Sequence, residues 1–145
     1  MVLKLYGLHA SLSVRLVAAV LIEKQVPFEL VKVDLFKGEH KTPEFLAKHP
    51  FGLVPYIVCH HLHNSFLTIS SIFLLLWLGQ DDDGFIVYET RAICYYIASK
   101  YPNQGTPLLP IGLKASTLYQ QAVFVEASHI NVHADQATQE MIYKR

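Results

Sequence analysis

The chain is short of cysteine and has no excess of either charge, and each shortage removes a class of protein. Only two cysteines occur in 145 residues, Cys59 and Cys94, outside any CxxC or zinc-type spacing. A disulfide framework is thereby excluded and a reducing compartment is expected, so the chain reads as cytoplasmic. Twelve Lys and Arg balance twelve Asp and Glu. With no basic run or stripe, a nucleic-acid groove is not expected. The opening Met1-Val2-Leu3-Lys4-Leu5-Tyr6-Gly7 alternates like a strand and reaches a glycine at once. A basic segment leading into an apolar one is missing, so no secretory leader is expected. The apolar run Phe66 to Leu78 is 13 residues long and holds two serines and a threonine. A membrane helix needs ~20 residues, so no membrane partner is expected. The length suits one compact domain, or one domain and part of a second.

What is present is a regular succession of elements. Residues 2–6 read as a strand and 12–25 as a helix, where Val14, Val17, Ala18 and Leu21 share a face while Arg15, Glu23 and Lys24 turn to water. Pro27 stops it. Residues 28–33 alternate as a second strand. A polar loop, Lys37 to Lys41, leads to Thr42-Pro43, an N-cap followed by proline at the first helical position, and a short helix over 43–48. Strands follow at 54–57 and 85–88, then a helix over 90–100 with Ile93, Tyr96 and Ile97 on one side. Residues 102–111 form a Pro-rich linker. A helix over 113–130, with Leu118, Ala122, Val125 and His129 on one face, and a further start at 134–144 complete the chain.

Residues 58–80 interrupt this order. Asp83-Gly84 is a strong hairpin signal that would join the third and fourth strands directly. Cys59, His60, His61 and His63 invite a metal reading, but ligands packed side by side without helix or strand spacing do not converge on a tetrahedron; no metal is expected. Val codons begin GT and Gln80 can be encoded CAG, so the segment reads as a short in-frame intron translated in error. If translated, it is a 23-residue hydrophobic insertion and an aggregation liability.

Two fragments carry chemistry. Tyr88-Glu89-Thr90-Arg91 is a strand that opens a helix through an acidic and a hydroxyl residue. Backbone N–H groups and the positive helix end there suit a carboxylate, and the Glu suits an ammonium, so a small zwitterion would fit. Phe51-Gly52-Leu53-Val54-Pro55 reads as a turn that presents bare backbone, with Pro55 in a cis bond, which is essentially a proline phenomenon. Either fragment alone is as well explained by an ordinary capped junction. Their combination, with a serine at the first strand-to-helix turn, is more specific.

The chain resembles the glutathione S-transferases, in particular the phi-class type of plants and fungi. The matching residues are Lys4-Leu5-Tyr6-Gly7 with Ser11, Glu29-Leu30-Val31, Val33-Asp34-Leu35, Gly38-Glu39-His40-Lys41, Pro43-Glu44-Phe45-Leu46, Pro50-Phe51-Gly52 with Val54-Pro55, Asp82-Asp83-Gly84-Phe85, and Glu89 with Arg91-Ala92-Ile93-Cys94, Tyr96-Ile97-Ala98 and Lys100-Tyr101. The resemblance implies an α/β fold: a thioredoxin-like βαβ-α-ββα N-terminal domain over residues 1–101, interrupted at 58–80, then the 102–111 linker. An incomplete all-α C-terminal domain would fill 112–145, stopping after about one helix and the start of another.

It also implies a site. Ser11 would donate to the glutathione sulfur and favour the thiolate, with Ser13 as a second candidate hydroxyl; helix N-termini are among the sites that bring thiols to pKa ~3.5–7.5. His40 and Lys41 would hold the glycine carboxylate, Val54 (before a cis Pro55) the cysteinyl backbone, and Glu89 and Thr90 the γ-glutamyl group. Leu12, Leu35 and Tyr119 would line a wall for a hydrophobic electrophile. Glutathione would serve as cosubstrate, with no cofactor, and a complete protein would form a homodimer in which Phe51 serves as an interface plug. Leu53 stands where the family commonly has Gln, a missing contact of ~0.5–1.5 kcal/mol.

The implied activity is conjugation of the glutathione thiolate to small hydrophobic electrophiles. The rival is a non-catalytic interaction module or an inactive fragment, against which retention of Ser11, His40, Lys41, Glu89 and Thr90 argues. A thiol oxidoreductase would want a cysteine near the first helix start, and residues 10–14 hold none.

Overall fold

The computed structural model describes residues 2–59, 85–138, 140 and 141. Alternation at the start produces β1 (Leu3–Gly7), whose Leu3, Leu5 and Gly7 face inward. Helix α1 (Leu12–Glu23) buries Val14, Val17 and Leu21, the stripe its spacing predicts. There follow β2 (Phe28–Lys32), a 3-10 turn (Glu39–Lys41), α2 (Pro43–Leu46), β3 (Tyr56–Val58), β4 (Ile86–Tyr88) and α3 (Thr90–Lys100). The strands lie in the order β2-β1-β3-β4. The β1–β2 pair is parallel, while β3 runs antiparallel to both β1 and β4. This is the thioredoxin-like arrangement expected from the element order.

Each sheet face has its own core. Leu3, Leu5 and Ile57 meet Val14, Val17 and Leu21 of α1 and Ile93 and Ile97 of α3. On the opposite face Val33, Tyr56 and Val58 pack with Phe45 of α2. Full burial of such a side chain contributes ~1.5–3 kcal/mol, so the main cluster dominates stability. The predicted cap of α2 is present: the Thr42 hydroxyl accepts from the Phe45 amide at 3.4 Å, and Pro43 takes the first helical position.

Several boundaries differ from the sequence reading. Strand β3 begins after Pro55, which has no N–H to give a ladder. It then runs on to Val58, which pairs with Lys4 and Ile86. Cys59 is buried in the main core. Of the residues assigned above to the insertion, Val58 therefore belongs to the sheet and Cys59 to the core beneath it. His60, His61, His63 and the rest of 60–84 lie outside the described residues.

Lys24 does not turn to water. It is buried, and its Nζ donates to the Thr106 carbonyl at 2.9 Å. The Thr106 amide donates to the Glu23 carbonyl at 2.8 Å, and its hydroxyl to Glu23 Oε2 at 2.7 Å. Gln104 Nε2 reaches the Gln25 carbonyl at 2.8 Å. Between them Gly105 sits at φ +60, and a Cβ there would collide with the Glu23 and Lys24 backbone. The linker is thus fastened along the end of α1.

Beyond it, α4 (Leu113–Val125), a π-helical stretch (Glu126–Ile130) and α5 (Asn131–Thr138) follow without a break. The expected stop near 130 and restart at 134 is corrected: Asn131 keeps helical angles, φ −63 and ψ −35. The reason is compositional, since no Pro or Gly occurs after Gly112 to end the rod. None of α4, the π stretch or α5 contains a buried residue, and the face of Leu118, Ala122, Val125 and His129 is exposed. Among the described residues no helix is long and apolar enough to cross a membrane.

Candidate active site

The sheet topology gathers the candidate residues. Tyr6 near the end of β1 pairs with Tyr56 at the start of β3, which pairs with Tyr88 at the end of β4. Because β2 is parallel to β1, its end lies there too, and the Val33 amide donates to the Gly7 carbonyl at 3.1 Å. The segments leaving or entering this one edge carry Ser11 after β1, the loop to His40 and Lys41 after β2, Val54 before β3, and Glu89 and Thr90 after β4.

Ser11 stands at the N-cap of α1 in extended conformation, φ −68 and ψ 129, yet its side chain makes no capping hydrogen bond. The hydroxyl is therefore not committed to its own helix, unlike that of Thr42. The loop that carries it is braced: the Ser11 amide donates to the Leu8 carbonyl at 2.9 Å, and Arg15 Nε to the His9 carbonyl at 2.9 Å. Ser13 faces a different space, described below.

Lys41 ties two loops together. Its Nζ donates to the Gly52 carbonyl at 2.9 Å and to the Phe51 carbonyl at 3.3 Å. Gly52 has φ +58, and a Cβ on it would lie 2.7 Å from the His40 carbonyl oxygen and 2.9 Å from Lys41 Nζ. Only glycine allows this approach. His40 Nδ1 is buried without a hydrogen-bond partner among the described residues. Burial pushes the His40 imidazole below its ordinary 6.5, and the Lys41 charge lowers it further. The Val54–Pro55 peptide is cis.

At the other end of the edge Glu89 has φ +71 and ψ 114, outside the usual range of a side-chain-bearing residue. Such a conformation costs on the order of 1–3 kcal/mol and persists only where its surroundings hold it. Thr90 is buried as the first residue of α3, while the Glu89 side chain is exposed. Arg91 then bridges to the helical rod, its Nε and Nη2 donating to Glu126 Oε2 at 2.9 and 2.5 Å. Burial pushes the Cys94 thiol up to about 11, which favours the protonated form at neutral pH.

Leu12, Leu35 and Tyr119 do not share one cavity. Leu12 lines a space of about 190 Å³ with Ser13 and Leu16 of α1, Thr90 and Arg91 of α3, and Glu126 and Ile130 of the rod. Leu35 packs on the opposite sheet face, against the cluster of Phe45 and Tyr56. Tyr119 lies near Cys94 and Tyr95, and burial raises its phenol. The 190 Å³ space touches Thr90 but not Ser11, His40, Lys41 or Val54, so it is separate from the edge where those residues meet.

Sequence reasoning missed His49. It is only 2% exposed, and its ring stacks on Tyr88 with centroids 4.7 Å apart. The usable signal was its place four residues after Phe45 and two before Phe51, a spacing that gathers aromatic rings at one helix end.

A thioredoxin-like sheet with a helix-start serine, a cis-proline turn and a strained acidic residue along one edge defines a class of fold and site. The N-terminal domain model of the glutathione S-transferases matches residues 5–105. The chain belongs to the glutathione S-transferase family, and its relatives are of the phi-class type. It is 40% identical over 132 residues to glutathione S-transferase 3 of Zea mays, covering 91% of this chain and 49% of that protein. A glutathione S-transferase of Hypomyces subiculosus is 34% identical, covering 100% of this chain and 57% of its own length. Among solved structures, a glutathione transferase from Populus trichocarpa superposes with a TM-score of 0.76 at 33% identity, over 99% of this chain and 57% of that one. The chain thus spans about half the length of the curated relatives it matches.

Proposed function

We propose that this chain carries the glutathione-binding half of a transferase that joins the glutathione thiolate to a small hydrophobic electrophile. The observation that carries the reading is the convergence of Ser11, His40, Lys41, Val54, Glu89 and Thr90 on one sheet edge, with the Ser11 hydroxyl free of its own helix cap. The tripeptide would lie along that edge. Its glycine carboxylate would meet Lys41 and His40, its cysteinyl backbone would pair with Val54, and its γ-glutamyl group would sit at Glu89 and the first amides of α3. A carboxylate at a helix N-terminus is stabilised by free N–H groups and the dipole together. The sulfur would lie beside Ser11, whose O–H donates to the thiolate; the thiolate then attacks the electrophilic carbon and the leaving group departs with its electron pair. In this reading no cofactor takes part, and Ser11 acts by keeping the nucleophile deprotonated.

Leu12, next to Ser11 in the chain, is the residue of the expected wall that we assign to the electrophile side. A detoxifying role in the cytoplasm and a homodimer held partly by Phe51, which is 63% exposed, complete the proposal. The test is conjugation of glutathione to a chlorinated nitroaromatic, comparing wild type with Ser11→Ala. Loss of one donor to a reacting anion typically costs ~100-fold in rate. We expect that loss with glutathione affinity within about threefold. An unchanged rate in Ser11→Ala, or no glutathione binding by wild type, overturns the reading.

A further inference from the structure

His49 has no role in the chemistry above, yet it lies between the two ends of the edge. Its amide donates to the Phe45 carbonyl at 2.9 Å, and its own carbonyl accepts from Gly52 N–H at 2.9 Å. The residue therefore closes α2 and opens the turn that leads to Val54. Its ring stacks on Tyr88 at 4.7 Å and 30°, and meets Phe51 edge-on at 6.1 Å and 79°. Tyr88 immediately precedes the strained Glu89, and Phe51 and Gly52 hold Lys41 through their carbonyls. One imidazole thus touches the supports of both ends of the edge.

One nitrogen of the His49 ring is left over. Nδ1 is buried with no hydrogen-bond partner among the described residues. Burial pushes the imidazole below 6.5, with Glu89 pulling it up and Lys41 pushing it down. At neutral pH the ring is uncharged and acts through its faces.

We infer that His49 is a positioning residue for glutathione, a ring spacer that fixes the Lys41–Gly52 end of the site relative to the Tyr88–Glu89 end. The inference rests on the glutathione reading of the site. A spacer of this kind matters only to a ligand that reaches both ends. Glutathione does; γ-glutamylcysteine, which lacks the glycine carboxylate, does not. Aromatic pairs are strong enough for their loss to be read in affinity.

Calorimetric titration of the 145-residue chain with each ligand tests it. In His49→Ala the glutathione Kd should rise about tenfold while that of γ-glutamylcysteine stays within about threefold. His49→Phe, which keeps the ring and removes the nitrogens, should restore wild-type affinity for both. Equal losses for the two ligands, or failure of His49→Phe to restore, overturns the inference and leaves the proposed function standing. Absence of glutathione binding by wild type overturns both. Should His49→Ala not fold, His49→Leu fills the volume without an aromatic face and must show the same selective loss; wild-type affinity in that variant overturns the inference.

Discussion

The sheet unit and the helical rod are both regular, but they are held by different forces. In the sheet unit the hydrophobic residues of β1, β3, α1 and α3 find partners: α1 and α3 cover one face and Phe45 of α2 the other. The rod has uninterrupted helix-forming sequence and, among the described residues, little to pack on. Leu118 and Phe124 are exposed, and its best-defined anchor is the Arg91–Glu126 pair. Helical periodicity therefore says where a helix will form, and burial decides whether tertiary structure depends on it.

The largest effect expected to sharpen this contrast comes from the main core. Ile97→Ala removes a fully buried side chain from α3 and should cost ~2–5 kcal/mol in chemical denaturation. Leu118→Ala in the rod should stay within ~0.5 kcal/mol. Comparable losses would break the comparison.

Acid should act next, and on the sheet unit. His40 and His49 both have imidazoles lowered in the fold, chiefly by burial. The unfolded chain binds these protons first, near 6.5, so folding is favoured above that pH. The contribution disappears as pH falls from about 6.5 through the lower folded values. Melting at pH 7.5 and 5.5 should show a drop in midpoint, smaller in His49→Phe than in wild type. A midpoint that rises on acidification would contradict the burial of these rings.

The smallest effect is expected at the anchor. Arg91 and Glu126 are both partly exposed, so Arg91→Ala should cost only ~0.2–1 kcal/mol of global stability. Amide exchange should nevertheless speed up in the rod and not in β1 or β3. Uniform acceleration would mean that the two regions unfold as one.

The same contrast explains what could be read from the residues alone. Val14, Val17, Leu21, Ile93 and Ile97 announced their burial by spacing, and Thr42-Pro43 announced a helix start, because both are local rules. The ordered edge with Ser11, Val54 and Glu89 was legible through family resemblance, since topology rather than local chemistry brings such distant segments together. Lys24 and His49 were misjudged or missed because a polar residue declares its burial only through partners far along the chain, here Thr106 and Tyr88. The rod's unbroken course was hidden by the polar stretch around His133, which lowers amphipathicity without supplying a helix breaker.

The fastening of the linker to α1 bears on how the sheet unit can be excised. Trimming the chain at Tyr101, where the last helix of the sheet unit ends, would delete the carbonyl that receives the Lys24 ammonium and leave a cation in a greasy wall without a counterpart. A fragment that runs through Thr106 keeps that acceptor, and should be the shorter length at which the domain expresses as a folded body.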